Sequence, residues 1–200
     1  DLLLINTTAL NQPDDDKKVV VSYDQSIFIP CAEQSITLTN AHFENNQAKL
    51  DGGAIATPNH YKNTFFQLKN TTFINNTAGS KGGAIRISGP QTALHLSDST
   101  FHNNTASGSG GALSIESSAG LQMFRTKGTN NIVNDNGDGG FLYARFSNPI
   151  LLSDVTIEKG STNHQGGGGG VAVYSSQIAL EKVSLKDCQA GKRGGGSLLL

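Results

Sequence analysis

Residues 73–85 read FINNTAGSKGGAI. Thirty residues earlier, 43–55 read FENNQAKLDGGAI, and 101–113 read FHNNTASGSGGAL. Each copy couples an aromatic residue, an asparagine pair and a Gly-Gly-Ala-aliphatic run at fixed spacing, so the chain is a repeat and is read by columns. The segments LTNAHF, LKNTTF, LSDSTF, LSDVTI and LEKVSL open on Leu38, Leu68, Leu96, Leu152 and Leu180, with Phe124 filling the gap. The steps along that column are 30, 28, 28, 28 and 28.

Other columns follow from this alignment. Phe43, Phe73 and Phe101 continue as Ile157 and Leu185, with Ile132 displaced by an insertion. Asn46, Asn76 and Asn104 are succeeded by Gly160 and Cys188. Two past each leucine stand Asn40, Asn70, Asp98, Thr126, Asp154 and Lys182. The motif Gly52-Gly53-Ala54-Ile55 returns as Gly82-Gly83-Ala84-Ile85 and Gly110-Gly111-Ala112-Leu113. Weaker pairs stand at Gly139-Gly140 and Gly194-Gly195, and Gly166–Gly170 form the run of the fifth unit.

Within a unit, stretches such as ALHLSDSTF alternate apolar and polar residues, which is the strand period. Glycine pairs and NN, SG and GP steps punctuate them. Only residues 9–18 hint weakly at a helix. Short strands at a period near 28 predict an all-β parallel solenoid of about seven coils. Stacked coils lie about 4.8 Å apart, so identical residues form ladders. Leucine and phenylalanine columns then build the core, asparagine builds an amide ladder, and the glycine pair turns a corner. These columns read as scaffold.

The composition excludes several functions. Charged residues make up 16%, the net charge is −1, and glycine counts 24 of 200. No basic surface for nucleic acid is implied, and no apolar run reaches the length of a membrane-spanning helix. No signal peptide is visible, and both ends read as cut from regular structure. The expectation is one solenoid fragment over 1–200, with irregular coils over 1–37 and six units over 38–200.

Glycoside hydrolysis needs two carboxylates roughly 5–9.5 Å apart. The position before the glycine pair reads Asp51, Lys81, Ser109, Asp138 and Arg193, with no stacked acidic pair. Asp98 and Asp154 share a column two coils apart. The acids 14–16 read as a solvated loop, and His42, His60, His95, His102 and His164 fall in different columns. No catalytic, cofactor or metal site is expected. Asn6, Asn70, Asn75 and Asn103 open N-x-Ser/Thr sequons that turns explain. Cys31 and Cys188 lie about five coils apart, roughly 24 Å, too far to pair.

The repeated F-x-x-N (Phe43/Asn46, Phe73/Asn76, Phe101/Asn104) coupled to G-G-A-[ILV] resembles the chlamydial polymorphic outer-membrane proteins. The pattern covers roughly 38–200 and degrades to IVND…GGFL, IEKG…GGVAV and LKDC…GGGSL in the last three units. The resemblance implies an autotransporter passenger: a right-handed β-helix displayed on the bacterial outer membrane, or released after processing. It implies an adhesin that attaches to host cells through a receptor or glycan, with self-association as a further partner. It implies no enzymatic activity, no cofactor, and membrane contact only through a C-terminal barrel. The irregular stretches 57–64, 126–138 and 160–170 are the candidate contact loops. The competing readings are a carbohydrate-active β-helix and a structural spacer.

Overall fold

The computed structural model describes residues 34–57, 64–118 and 120–200, together with the backbone of Val19–Val21 and Ile27–Phe28. All regular structure among them is strand, and every pairing is parallel. The chain winds as a solenoid of about six coils, close to the seven expected. Each full coil contributes one strand to each of four sheets.

A leucine sheet of six strands holds Gln34–Thr39, Thr64–Lys69, Ala93–Ser97, Gly120–Phe124, Ile150–Ser153 and Ile178–Glu181. A phenylalanine sheet of seven strands follows, including Ala41–Glu44, Thr72–Ile74, Thr100–His102 and Lys127–Thr129. A short sheet of two-residue strands comes next, then an isoleucine sheet of seven that includes Ile85–Ser88, Leu113–Glu116, Leu142–Arg145 and Val171–Tyr174.

The core is the interior of this tube. Phe43 stacks on Phe73 at 4.9 Å and Phe73 on Phe101 at 4.7 Å, with planes within 7°. That separation is the strand spacing itself, so the backbone ladder dictates the ring stack. All three rings are buried, as are Leu68, Leu96, Ile85, Ile87 and Leu113. No single coil encloses these residues; each is covered by the coil above and the coil below.

The fourth coil departs from the sequence alignment in a consistent way. Met123, not Phe124, pairs with Leu96 and Leu152 in the leucine column. Phe124 pairs with Ser97 and points outward, 39% exposed. Gly128, not Ile132, occupies the phenylalanine column, between Phe101 and Ile157. Ile132 sits in the short sheet opposite Thr105. The corner residue is Arg125 rather than Thr126. The stretch from Met123 to Asn131 carries no insertion; the two extra residues of this coil come later, between Val133 and Gly139. Its leucine-type strand is reached one residue early, and a one-residue slip exchanges inside for outside along a strand.

The empty volume at Gly128 is filled from elsewhere. Phe141 stands where the other early coils have Ala54, Ala84 and Ala112, and its ring packs edge-on to Phe101 at 5.6 Å. A Cβ at Gly128 would lie 2.4 Å from that ring. The coil has exchanged a large and a small residue across the core, keeping its volume.

Two left-handed corners bound the phenylalanine strand. The first is Asn40, Asn70, Asp98, Arg125, Asp154 and Lys182, with φ between 42° and 56°. The second is Asn45, Asn75, Asn103, Asn130, Lys159 and Asp187. Asparagine and aspartate tolerate this conformation better than other residues with a Cβ. The paired asparagines therefore divide their labour: the first turns the chain and the second enters the ladder.

Candidate functional site

The F-x-x-N asparagines lie inside the tube. Asn46, Asn76, Asn104 and a fourth, Asn131, are each at most 3% exposed. Asn46 Nδ2 donates to Asn76 Oδ1 at 2.8 Å, Asn76 Nδ2 to Asn104 Oδ1 at 2.9 Å, and Asn104 Nδ2 to Asn131 Oδ1 at 3.0 Å. Each acceptor also takes the backbone N–H of the asparagine before it. The second amide hydrogen goes to a phenylalanine carbonyl, Phe43 for Asn76 and Phe73 for Asn104. Two donors and two acceptor positions are thus filled at Asn76 and Asn104, the full capacity of the side chain.

The G-G-A-[ILV] residues are equally internal. The first glycine of each pair takes positive φ: Gly52, Gly82, Gly110, Gly139, Gly168 and Gly195. The second is held by proximity, since a Cβ on Gly83 would lie 2.1 Å from the Gly111 carbonyl oxygen. The last pair is consequently Gly195-Gly196, one residue beyond the expected Gly194-Gly195, and the residue before it is Gly194 rather than Arg193. Ala54, Ile55, Ala84, Ile85, Ala112 and Leu113 are buried.

The residues before the glycine pairs reach the outer side of the isoleucine sheet one coil on. Asp51 Oδ2 lies 3.2 Å from Arg86 Nε, and Lys81 Nζ lies 2.8 Å from Glu116 Oε1. Arg86 Nη2 also approaches Glu116 Oε2 at 3.4 Å. Asp138 accepts from Tyr174 Oη at 2.9 Å and from the Gly167 N–H at 2.8 Å, and Arg193 Nη1 lies 2.8 Å away. Lys81 stands over the Tyr143 ring at 5.8 Å, and Tyr143 meets Tyr174 at 5.9 Å. Burial pushes the Tyr143 phenol above its ordinary range, helped by the Glu116 charge. Burial, then the hydrogen bond to Asp138, raises Tyr174 to about 12. The acids of this cluster, Asp51, Glu116 and Asp138, are each engaged by a cation.

On the corners, Asp98 and Asp154 are separated by Arg125, which occupies the coil between them. Its Nε and Nη2 hold both Asp98 oxygens at 2.6 and 2.9 Å. The hydrogen bond from Arg125 keeps the Asp98 carboxyl below its usual range. Asn70 and Asn75 hydrogen-bond to Asn40 and Asn45 along the same exposed edges.

Of the candidate loops, 126–138 holds the strands Lys127–Thr129 and Ile132–Val133, and its loop part is 134–138, with Asn134–Asn136 exposed. In 160–170, Ser161–Thr162 is a strand and the exposed part is Asn163–Gln165. Most of 57–64, the acids 14–16, the stretch 9–18, and Asn6, Cys31 and His60 lie outside the described residues. His42 is buried and bonds Glu44 at 2.9 Å. His95 meets the edge of Phe65 at 4.5 Å, and burial lowers its pKa. Cys188 is a free thiol in the asparagine column, directed at the Lys186 and Ile157 carbonyls, and burial raises its pKa.

The large apolar side chains exposed on the described surface are Leu50, Phe124, Phe146, Leu180 and Leu200. Phe146 is 53% exposed and carries the Arg145 guanidinium over its ring at 4.6 Å. Neither residue was singled out by the repeat columns.

Residues 40–58, 70–88 and 98–116 each match the Chlamydia polymorphic membrane protein repeat. Each match opens on a left-handed corner residue, Asn40, Asn70 or Asp98, and the second and third end with the isoleucine strand. The matched unit is therefore the part of a coil that holds the asparagine rung and the glycine corner. Neither the curated proteins nor the solved structures compared with the chain gave a match.

Proposed function

Starting from three Chlamydia polymorphic membrane protein repeats in one parallel solenoid, we propose that the chain is part of a surface-displayed autotransporter passenger. It acts as a non-catalytic adhesin for host cells. The observation that carries this reading is the division between inside and outside. The repeated motif residues are buried and saturated by one another, whereas outward positions such as Phe124, Phe146 and Leu50 differ from coil to coil. A constant interior with a variable exterior is how a solenoid presents an extended contact surface. The engagement of Asp51, Glu116 and Asp138 by cations supports the absence of catalysis, because hydrolysis requires a free acid and base.

Beads coated with the folded chain are expected to adhere to epithelial cells, and soluble chain is expected to compete. Beads that adhere no better than those carrying an unrelated β-helix would refute attachment. Release of new reducing or unsaturated ends from a panel of polysaccharides would refute the non-catalytic assignment.

A further inference from the structure

Phe146 sits in a column between Ser117 and Ser175, the three having φ of 48°, 50° and 48° in chain order. The three are adjacent, since the Ser117 N–H donates to the Arg145 carbonyl and the Phe146 N–H to the Tyr174 carbonyl. Among the described non-glycine residues at positive φ, Phe146 alone is apolar. A bulky ring is disfavoured in this conformation, and 53% of its surface remains in water. The corner does not require it, because serine serves on both sides. Backbone strain held against such an alternative points to a use outside the scaffold.

Arg145 supplies the second observation. It is exposed, and no ion pair among the described residues includes it. Glu116, its register partner in the preceding coil, is occupied by Lys81 and Arg86. The Arg145 guanidinium instead lies over Phe146. It also donates a hydrogen bond to the Tyr143 phenol, an uncharged partner that leaves the guanidinium's charge unmatched and further in-plane N–H groups to offer a carboxylate.

We propose that Arg145 and Phe146 form a subsite for a carboxylate-bearing sugar, of the sialic acid type, at the end of a glycan. Arg145 takes the carboxylate, and the Phe146 ring takes an apolar face of the sugar. The Ser117 and Ser175 hydroxyls, exposed on either side, suit the sugar hydroxyls. One unpaired cation beside otherwise neutralised pairs fits a single carboxylate, not a polyanion. The subsite gives the attachment reading a ligand class, and its own test runs in solution without cells.

The purified chain is titrated with sialyllactose by saturation-transfer NMR, with lactose and a heparin hexasaccharide alongside. Saturable binding is expected for sialyllactose and none for lactose. Phe146→Ser should weaken binding by about tenfold or more while keeping or raising Tm, since it installs the residue used by the neighbouring coils. Arg145→Lys should weaken it as well, because an ammonium cannot form the bidentate pair. The subsite is overturned by absence of saturable sialyllactose binding, by equal binding of lactose, or by tighter binding of the hexasaccharide. Unchanged binding in Phe146→Ser also overturns it. Adherent beads without sialyllactose binding refute the subsite and leave attachment standing; the reverse result refutes attachment alone.

Discussion

The ring of Phe141 occupies the space that a side chain at Gly128 would need, at 2.4 Å from the Cβ position. Every other strand of this sheet has a larger residue in the Gly128 column, namely Val21, Phe43, Phe73, Phe101, Ile157 or Leu185. The two sites therefore form one packing unit. Phe141→Ala should cost about 3–5 kcal/mol through the cavity it leaves. Gly128→Phe alone should cost at least as much by overlap. The double variant restores the pattern of the first three coils and should recover most of the loss, a coupling that chemical denaturation reads directly. Additive losses would show that the two residues do not share a volume.

Asn76→Ala removes the acceptor shared by the Asn46 N–H and side-chain amide, and takes one of two donors from Asn104 Oδ1 and the side-chain donor from the Phe43 carbonyl. Buried groups stranded in this way cost about 1–3 kcal/mol each. A loss of roughly 3 kcal/mol, or a Tm lower by about 10 °C, is expected. Cell binding lost at unchanged Tm would mean that the asparagine contacts a partner instead of the next coil.

Two glycines separate steric exclusion from conformational preference. A Cβ at Gly83 meets the Gly111 carbonyl oxygen at 2.1 Å and the Thr105 nitrogen at 2.6 Å, both backbone atoms. Gly194 has φ +79° and nothing within 4 Å of its Cβ position. Gly83→Ala should fail to yield the folded coil signature in circular dichroism. Gly194→Ala should fold, at a cost of about 1–2 kcal/mol for the left-handed backbone.

Tyr174 gives the chain an alkaline signature. Its folded pKa is raised from 10.0 to about 12, first by burial and then by Asp138. Because the folded state holds the proton more tightly, the stabilisation is complete below the unfolded value of 10.0. It is lost as pH rises toward about 12. The Tm of the wild type should therefore fall more steeply over that window than the Tm of Tyr174→Phe. Parallel profiles would refute the assignment. Much of the phenol is accessible to solvent, which screens the effect.

The parallel solenoid was legible because its core is written at a fixed spacing: Leu38, Leu68 and Leu96 are register partners. Register failed where spacing was trusted over chemistry. A constant step of 28 selects Phe124, whereas the leucine column reaches Met123 by a step of 27, and the following step of 29 hides the slip. The pair Asn130-Asn131 carried the correct signal, since it repeats Asn103-Asn104. Gly128 in the aromatic position masked it. The ion pairs between Asp51 and Arg86 and between Lys81 and Glu116 were not legible, because each joins a loop of one coil to a strand of the next. Phe146 becomes visible only once the corners are aligned, when an aromatic residue stands between two serines.

The four asparagines impose a polarity on the stack. From Asn46 to Asn131, each amide hands its hydrogen forward to the next oxygen, and none hands one back. The carbonyl dipoles of the row point one way and reinforce each other. A coil docked with its amide reversed would set oxygen against oxygen and NH2 against NH2. Four rungs that share one orientation act as a one-way zip, so a new coil can join in only one sense. The same row makes an isolated defect expensive, because an inverted rung breaks the bonds on both of its sides.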